Sequence, residues 1–312
     1  MIATITLNPS IDQLIQVKNL VKDDANRALS VTRYPGGKGI NVSKVIRELG
    51  GQTHAYAPVG GMTGEFLKEL LGELDIPFTA MPIKGKTRIN TILTDLKDRT
   101  QTRVSDPGPL VEPAEMSGFS RLLLSARPRP FLWALGGSLP SRMPASTYHK
   151  IILVLQKQGV PCILDTDNDA LKWGVKARPF AVKPNEYEME RLMGRRFKSI
   201  PQYLKAAREL VRRGIRVVIV SLGARGALFV TRAEAFHVRG PDVPVKSKVG
   251  AGDSLIGGFA LGLFKKMPLH EAARLGIAAS VSAVMRESPR LCLKSDISRL
   301  LPRVRIRDIM NF

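Results

Sequence analysis

Short runs of apolar residues alternate with amphipathic stretches from one end of the chain to the other, and this alternation narrows the fold more than any other feature of the sequence. Runs rich in Val, Ile and Leu without a polar residue at every second position suit strands buried on both faces, and such strands are typically parallel, with a helix in each crossover. Buried strands are expected over 2–7, 131–135, 162–165, 180–182, 217–221 and 227–231. Helices are expected over 40–49, 64–74, 144–158, 186–193, 201–213, 253–265 and 270–285. After Thr63 as a cap, Phe66, Leu67, Leu70, Leu71 and Leu74 recur at helical spacing, as do Val42, Val45, Ile46 and Leu49 ahead of a closing Gly50-Gly51. Both stripes read as core. The expected class is α/β, a mostly parallel sheet with helices on both faces.

Half-polar alternating stretches at 14–17, 28–33 and 88–96 fit neither layer and suggest a small second sheet, able to cover a site as a lid. The 312 residues, 44% of them apolar, suffice for a substantial core, in one large domain or two smaller ones. The apolar stretch 255–264 stops at Lys265-Lys266, too short to span a bilayer, and the first residues read as a strand instead of a leader, so a soluble cytoplasmic chain with no membrane partner is expected. Cys162 and Cys292 have no companion thiol or His in sequence, which favours buried free thiols over a disulfide or metal site. The formal charge of +21 invites a nucleic-acid partner, but Lys and Arg are scattered through nearly every segment. That dispersal argues against specific nucleic-acid binding and for a field that favours small anionic substrates.

Candidate functional residues gather at glycine-rich turns. Ser247-Lys248-Val249-Gly250-Ala251-Gly252-Asp253 opens an apolar helix, so amides freed at Gly250, Ala251 and Gly252 can face a polyphosphate while Asp253 takes a proton from an incoming hydroxyl. The same string also serves an ordinary turn and helix cap. Gly36-Gly37-Lys38-Gly39-Ile40-Asn41 opens another helix, where Gly37 permits close approach of backbone and Lys38 and Asn41 can meet a polar anion. It lacks the glycine pattern and preceding strand of a phosphate-binding P-loop or a dinucleotide fingerprint. Asp12 follows the first strand at its carboxyl end, placed to accept hydrogen bonds from hydroxyls or to serve a turn. Asn185 and Glu188 fall three apart at a helix start, suited to order water or Mg²⁺ or to cap the helix. Ser221-Leu222-Gly223-Ala224-Arg225-Gly226 joins two strands, and Arg27, Arg88 and Arg103 sit in or beside the half-polar strands, where together they can clamp a phosphate.

These phrases, with Thr6-Leu7-Asn8-Pro9-Ser10, Gly85-Lys86-Thr87-Arg88-Ile89-Asn90, Gly137-Ser138-Leu139-Pro140 and Val182-Lys183-Pro184-Asn185, run through almost the whole chain in an order that resembles the PfkB, or ribokinase-like, family of carbohydrate kinases, in its phosphofructokinase and tagatose-6-phosphate kinase branch. The resemblance implies a single ribokinase-like domain over 1–312, a three-layer α/β/α sandwich with a small β lid from about 14–33 and 88–105, and a homodimer through that lid. ATP and Mg²⁺ would be required. Asp253 would be the general base, with Gly250, Ala251 and Gly252 as the anion hole. Asp12, Gly37 and Asn41 would hold sugar hydroxyls, and Lys38, Arg27, Arg88, Arg103 and Ser138 the distal phosphate. Lys183, Asn185, Ser221, Gly223 and Gly226 would serve the nucleotide, and Glu188 the metal through water.

Within that branch Lys38 and the 85–90 phrase are similar to kinases of fructose 1-phosphate and tagatose 6-phosphate, whereas Arg103, the 156–159 phrase and Arg290-Leu291-Cys292 resemble the fructose 6-phosphate enzymes. Arg103 as a direct phosphate contact tilts the expectation to fructose 6-phosphate. Two positions depart from the pattern: Lys248 stands where Thr is usual, and Asp167-Asn168 replaces a usual Ser-Gly. Neither removes a proposed catalytic group.

Overall fold

The computed structural model describes residues 1–287 and 290–309. Its strands, in chain order, are β1 (Ile2–Thr6), β2 (Ser10–Val17), β3 (Ser30–Gly36), β4 (Thr53–Val59), β5 (Phe78–Pro82), β6 (Arg88–Asp95), β7 (Thr100–Val104), β8 (Leu132–Gly136), β9 (Cys162–Asp165), β10 (Ala181–Val182), β11 (Val217–Ser221), β12 (Ala227–Val230), β13 (Ala235–Arg239) and β14 (Arg305–Asp308). The helices are α1 (Lys38–Glu48), α2 (Gly61–Gly72), α3 (Pro113–Leu124), α4 (Thr147–Lys157), α5 (Asn168–Gly174), α6 (Glu186–Met193), α7 (Ile200–Arg212), α8 (Ala251–Phe264), α9 (Leu269–Val284) and α10 (Lys294–Leu300).

A ten-stranded sheet runs in the order β14-β13-β12-β11-β10-β9-β8-β1-β4-β5, parallel from β5 to β11 and antiparallel beyond. Every residue of β1, β8, β9 and β12 is buried, as strands covered on both faces must be. Alternate residues of β1 show why: Ala3 and Ile5 join the core under α3, α4, α6 and α7, whereas Ile2 joins the core under α1, α8 and α9. The result is the expected three-layer sandwich. Gly257, Gly258 and Gly262 leave α8 smooth enough for its neighbours, since a Cβ on Gly258 would lie 2.7 Å from the carbonyl oxygen of Leu275 in α9. Both cysteines are free and buried. Among the described residues no helix is long and apolar enough to cross a membrane.

The separate four-stranded sheet, β3-β2-β6-β7, is built from two excursions out of the main sheet. β2 pairs antiparallel with β3 and parallel with β6, and β7 closes the other edge antiparallel. This sheet is larger than the half-polar stretches indicated, because β2 begins at Ser10 immediately after β1.

Candidate active site

The loops at the carboxyl ends of β1, β8, β9, β10 and β11 lie along one edge of the parallel sheet, where open α/β sheets carry their ligands. Asp253 faces this edge from the first turn of α8, behind Gly250, whose φ of 77° is left-handed and whose notional Cβ would strike Leu291 at 2.2 Å. The first amides of such a helix have no partner within it. Asn41 Nδ2 donates to Asp253 Oδ2 at 2.8 Å, and Asn41 is held on the first turn of α1 by its N–H to the Gly37 carbonyl, 2.8 Å. Burial, together with the charge of Asp165, raises the Asp253 carboxyl above its ordinary value against the pull of Lys38, Asn41 and Lys183.

Below Asp253 lies a compact ion cluster. Asp165, at the end of β9, accepts from Lys38 Nζ at 3.0 Å and pairs with Lys183 Nζ at 3.3 Å, and Lys38 Nζ lies 4.0 Å from Glu188 Oε1. Lys183 is 4% exposed and sits under α8, since a Cβ on Gly252 would lie 3.2 Å from its Nζ. Burial works against ionisation of Asp165, but Lys183 and Lys38 overcome it and hold the carboxyl below its ordinary value. Burial likewise works against the Lys38 ammonium, which Asp165, Glu188 and Asp253 nevertheless raise. Glu188 is raised by burial and by Asp165, with the two lysines opposing. Asp165 Oδ2 is buried and has no hydrogen-bond partner among the described residues.

Asn185 and Glu188 form a reciprocal capping box at α6: Asn185 Oδ1 accepts from Glu188 N–H and Glu188 Oε2 from Asn185 N–H, both at 2.8 Å. The pair thus caps its own helix, and Glu188 keeps Oε1 towards Lys38. Ser221 bridges to the Asn185 strand end, its N–H on the Pro184 carbonyl at 3.0 Å. Gly223 stands in open space. Gly226 has a packing reason of its own, with φ of 88° and a notional Cβ 2.1 Å from the Val238 carbonyl oxygen.

The small sheet supplies the opposite wall. Asp12 Oδ1 accepts from Asn90 Nδ2 and Ser10 Oγ, each at 2.8 Å, and Gly36 packs so closely that a Cβ would lie 2.6 Å from the carboxylate. Ser10 is opposite Arg88, Asp12 opposite Asn90, and Ile92 opposite Arg103, so Asp12, Arg88 and Arg103 share one face. Arg88 donates from Nη1 to the Asp106 carbonyl at 2.7 Å and from Nη2 to the Asn8 carbonyl at 3.0 Å, while its buried Nε has no partner among the described residues. Burial, helped by the charge of Arg103, lowers its guanidinium against Asp12 and Asp106. Asn8 Nδ2 reaches the Pro107 carbonyl, Ser138 Oγ and the Leu139 carbonyl at 3.0, 3.3 and 3.3 Å, tying Ser138 to the Arg88 group.

Gly37 needs its φ of 116°, since a Cβ there would lie 2.5 Å from Thr6 Cγ2. Arg27 is exposed between β2 and β3 and makes no hydrogen bond or ion pair to these groups among the described residues. Lys248 is exposed, and Asp167 is at the N-cap position of α5. Asp165, Asn8, Asn90 and Asp106 belong to the site although sequence reasoning gave none of them a role. The available signal was a polar residue directly at the end of an apolar strand, as at Asp165. Among the described residues no cluster of three or more His, Cys, Asp or Glu side chains could hold a metal ion.

Comparison with known proteins shows the family and the fold. The model of the pfkB family of carbohydrate kinases matches residues 5–296. This chain belongs to that family. It is 34% identical to the 1-phosphofructokinase of Bacillus subtilis over 306 residues, 98% of this chain and 99% of the relative. It is also 34% identical to the ATP-dependent 6-phosphofructokinase isozyme 2 of Escherichia coli over 301 residues, 96% and 97% of the two chains. The crystal structure of phosphofructokinase-2 from Escherichia coli in complex with potassium superposes with a TM-score of 0.93 at 33% identity, covering 96% of this chain and 98% of that one. The family and its ribokinase-like fold make the protein a phosphotransferase with an alcohol group as acceptor.

Proposed function

We propose that the protein is an ATP-dependent phosphofructokinase that transfers the γ-phosphate to the free primary hydroxyl of a fructose phosphate, fructose 6-phosphate by preference, giving fructose 1,6-bisphosphate. One observation carries the reading: a buried carboxylate, Asp253, at the start of a helix, with Asn41 fixing its orientation at 2.8 Å. The raised Asp253 carboxyl is a stronger base than an ordinary aspartate, and it takes the hydroxyl proton as the oxygen attacks the phosphorus in line. The amides of Gly250, Ala251 and Gly252 and the Lys183 ammonium oppose the negative charge that grows on the phosphoryl oxygens.

Asp12, Gly37 and Asn41 hold sugar hydroxyls. Arg88, Arg103, Ser138 and Lys38 hold the phosphate the sugar brings, and the unpaired Arg88 Nε is the donor best placed to gain a partner. Arg27 joins them only if the segment between β2 and β3 moves inward. Lys183, Asn185, Ser221, Gly223 and Gly226 line the nucleotide side. Glu188 Oε1 is the oxygen donor that suits Mg²⁺, through water, and the bound ion would supply positive charge to the nucleotide phosphates.

The small sheet acts as the lid of a single kinase domain, excluding water that would otherwise accept the phosphoryl group. Leu29 is 61% and Val104 63% exposed on it, with Val31 and Ile89 also bare, and a second copy of the chain is the partner that covers them. The location is cytoplasmic.

A second reading rests on Lys38 and the similarity to the Bacillus subtilis enzyme: fructose 1-phosphate as acceptor, or tagatose 6-phosphate. The two fructose phosphates present a phosphate at one end and a hydroxyl at the other and yield the same product, so the same pocket serves either. Comparison of kcat/KM for fructose 6-phosphate, fructose 1-phosphate, tagatose 6-phosphate and free fructose tests the proposal. Preference for a ketohexose phosphate supports it, and equal or better turnover of free fructose removes the phosphate subsite.

A further inference from the structure

At the far edge of the main sheet, β13 and β14 pair antiparallel with Arg239 directly opposite Arg305 and His237 opposite Arg307. Alternation puts all four on one face, while Val238 and Ile306 pack into the core. Like charges directly opposite on a strand pair are destabilising. The first of these pairs, with Arg303, lines an open cavity of about 540 Å³ completed by Gly240, Pro241, Asp242 and Pro302. Only Asp242 offsets the three arginines, through Arg239 Nη2 at 3.0 Å, and Arg303 and Arg305 have no hydrogen bond or ion pair among the described residues.

Charges along an edge strand also deter edge-to-edge pairing. That role, however, does not require two arginines face to face or a third beside them in a concavity. The volume falls in the range of small-molecule sites, the walls of proline and glycine are preformed, and the guanidinium groups offer forked donors matched to phosphate oxygens. We propose that this cavity is a second ligand site, separate from the Asp253 cluster, for a small phosphorylated anion. Arg303 and Arg305 are its principal donors, and a bound phosphate relieves the repulsion between Arg239 and Arg305. Gly240 opens the segment that runs on along the chain to Gly250, and no residue of that segment beyond Asp242 lines the cavity.

Calorimetric titration of inorganic pyrophosphate into the full chain, with the active site saturated by a non-hydrolysable ATP analogue, tests this. One residual site per chain is expected. The R303A/R305A variant should weaken it by about tenfold or more, because charge-assisted hydrogen bonds are lost. Without ligand, the variant should melt no lower than wild type, since it loses a repulsive pair and no attractive one. Arg303→Gln, outside the strands, gives the same direction of change should the double variant fail to fold. No residual binding to wild type, or equal binding by the variants, overturns the proposal. Loss of basal turnover in folded Arg303→Gln would place the cavity within the active site and overturn its separateness.

Discussion

Asp165→Asn is the substitution that best exposes how the ion cluster is held together. Asp165 is 2% exposed and serves two cations, Lys183 at 3.3 Å and Lys38 at 3.0 Å, but the two are not equivalent. Lys38 is 34% exposed, so water takes over much of its partnership, whereas Lys183 at 4% loses its close ion pair and keeps a buried ammonium that Asp253 and Glu188 offset only from longer range. Removing one partner of such a buried pair costs about 3–5 kcal/mol, and the amide oxygen that Asn retains places the expected loss at about 3 kcal/mol. Lys183→Met on the Asp165→Asn background removes the stranded charge and should recover about 1–2 kcal/mol.

Denaturant unfolding at pH 7 of wild type, both single variants and the double variant measures this cycle. If the double variant is as unstable as the sum of the singles, the two side chains are not coupled and the reasoning fails. The pH dependence adds a check. The Asp165 carboxyl is below its ordinary value when folded, so its contribution is present above the unfolded carboxyl value of about 3.9 and is lost as pH falls through the folded value. Asp253 and Glu188 are raised and act oppositely: their ionised forms oppose folding at neutral pH, and that penalty fades as pH falls through their folded values. The gap between wild type and Asp165→Asn should therefore narrow on the acid side.

Arg88→Ala and Arg103→Ala should each raise KM for the fructose phosphate by about tenfold or more, with KM for ATP little changed, as steady-state kinetics would show. Asn41→Ala removes a donor that favours the ionised base, so the acid limb of the kcat/KM profile should move to higher pH; an unmoved limb would mean that another group titrates there. Gly226→Ala should destabilise the fold by about 2 kcal/mol or more in thermal unfolding, because β13 backbone occupies the space and φ is left-handed.

Much of the sandwich was legible because its central strands are uninterrupted apolar runs. Residues 162–165, 217–221 and 186–193 match the elements at both ends. β4 was missed because Thr53–Val59 contains His54, Pro58 and two alanines, which mask its buried character, and β5 and β14 are short edge strands with little pattern. α1 and α8 begin two residues earlier than expected, since their first turns carry glycine, lysine or alanine where periodicity has nothing to count. In the site, the glycine turns announced Asp253 and Asn41, but the ion pairs of Asp165 span separations that no local pattern encodes. Asn8 likewise joins β1 to the 107 and 138–139 loops only through tertiary contact. The repulsion across Arg239 and Arg305 became visible only with the strand register.

The central claim is that the Asp253 carboxylate deprotonates the sugar hydroxyl, and kcat of Asp253→Asn, measured beside its affinity for an ATP analogue, tests it most directly. A general base contributes about 10²–10⁴ in rate, so kcat should fall by about three orders of magnitude while nucleotide Kd stays within about twofold. A variant that turns over within about tenfold of wild type would contradict the account, because the proton would then leave by another route.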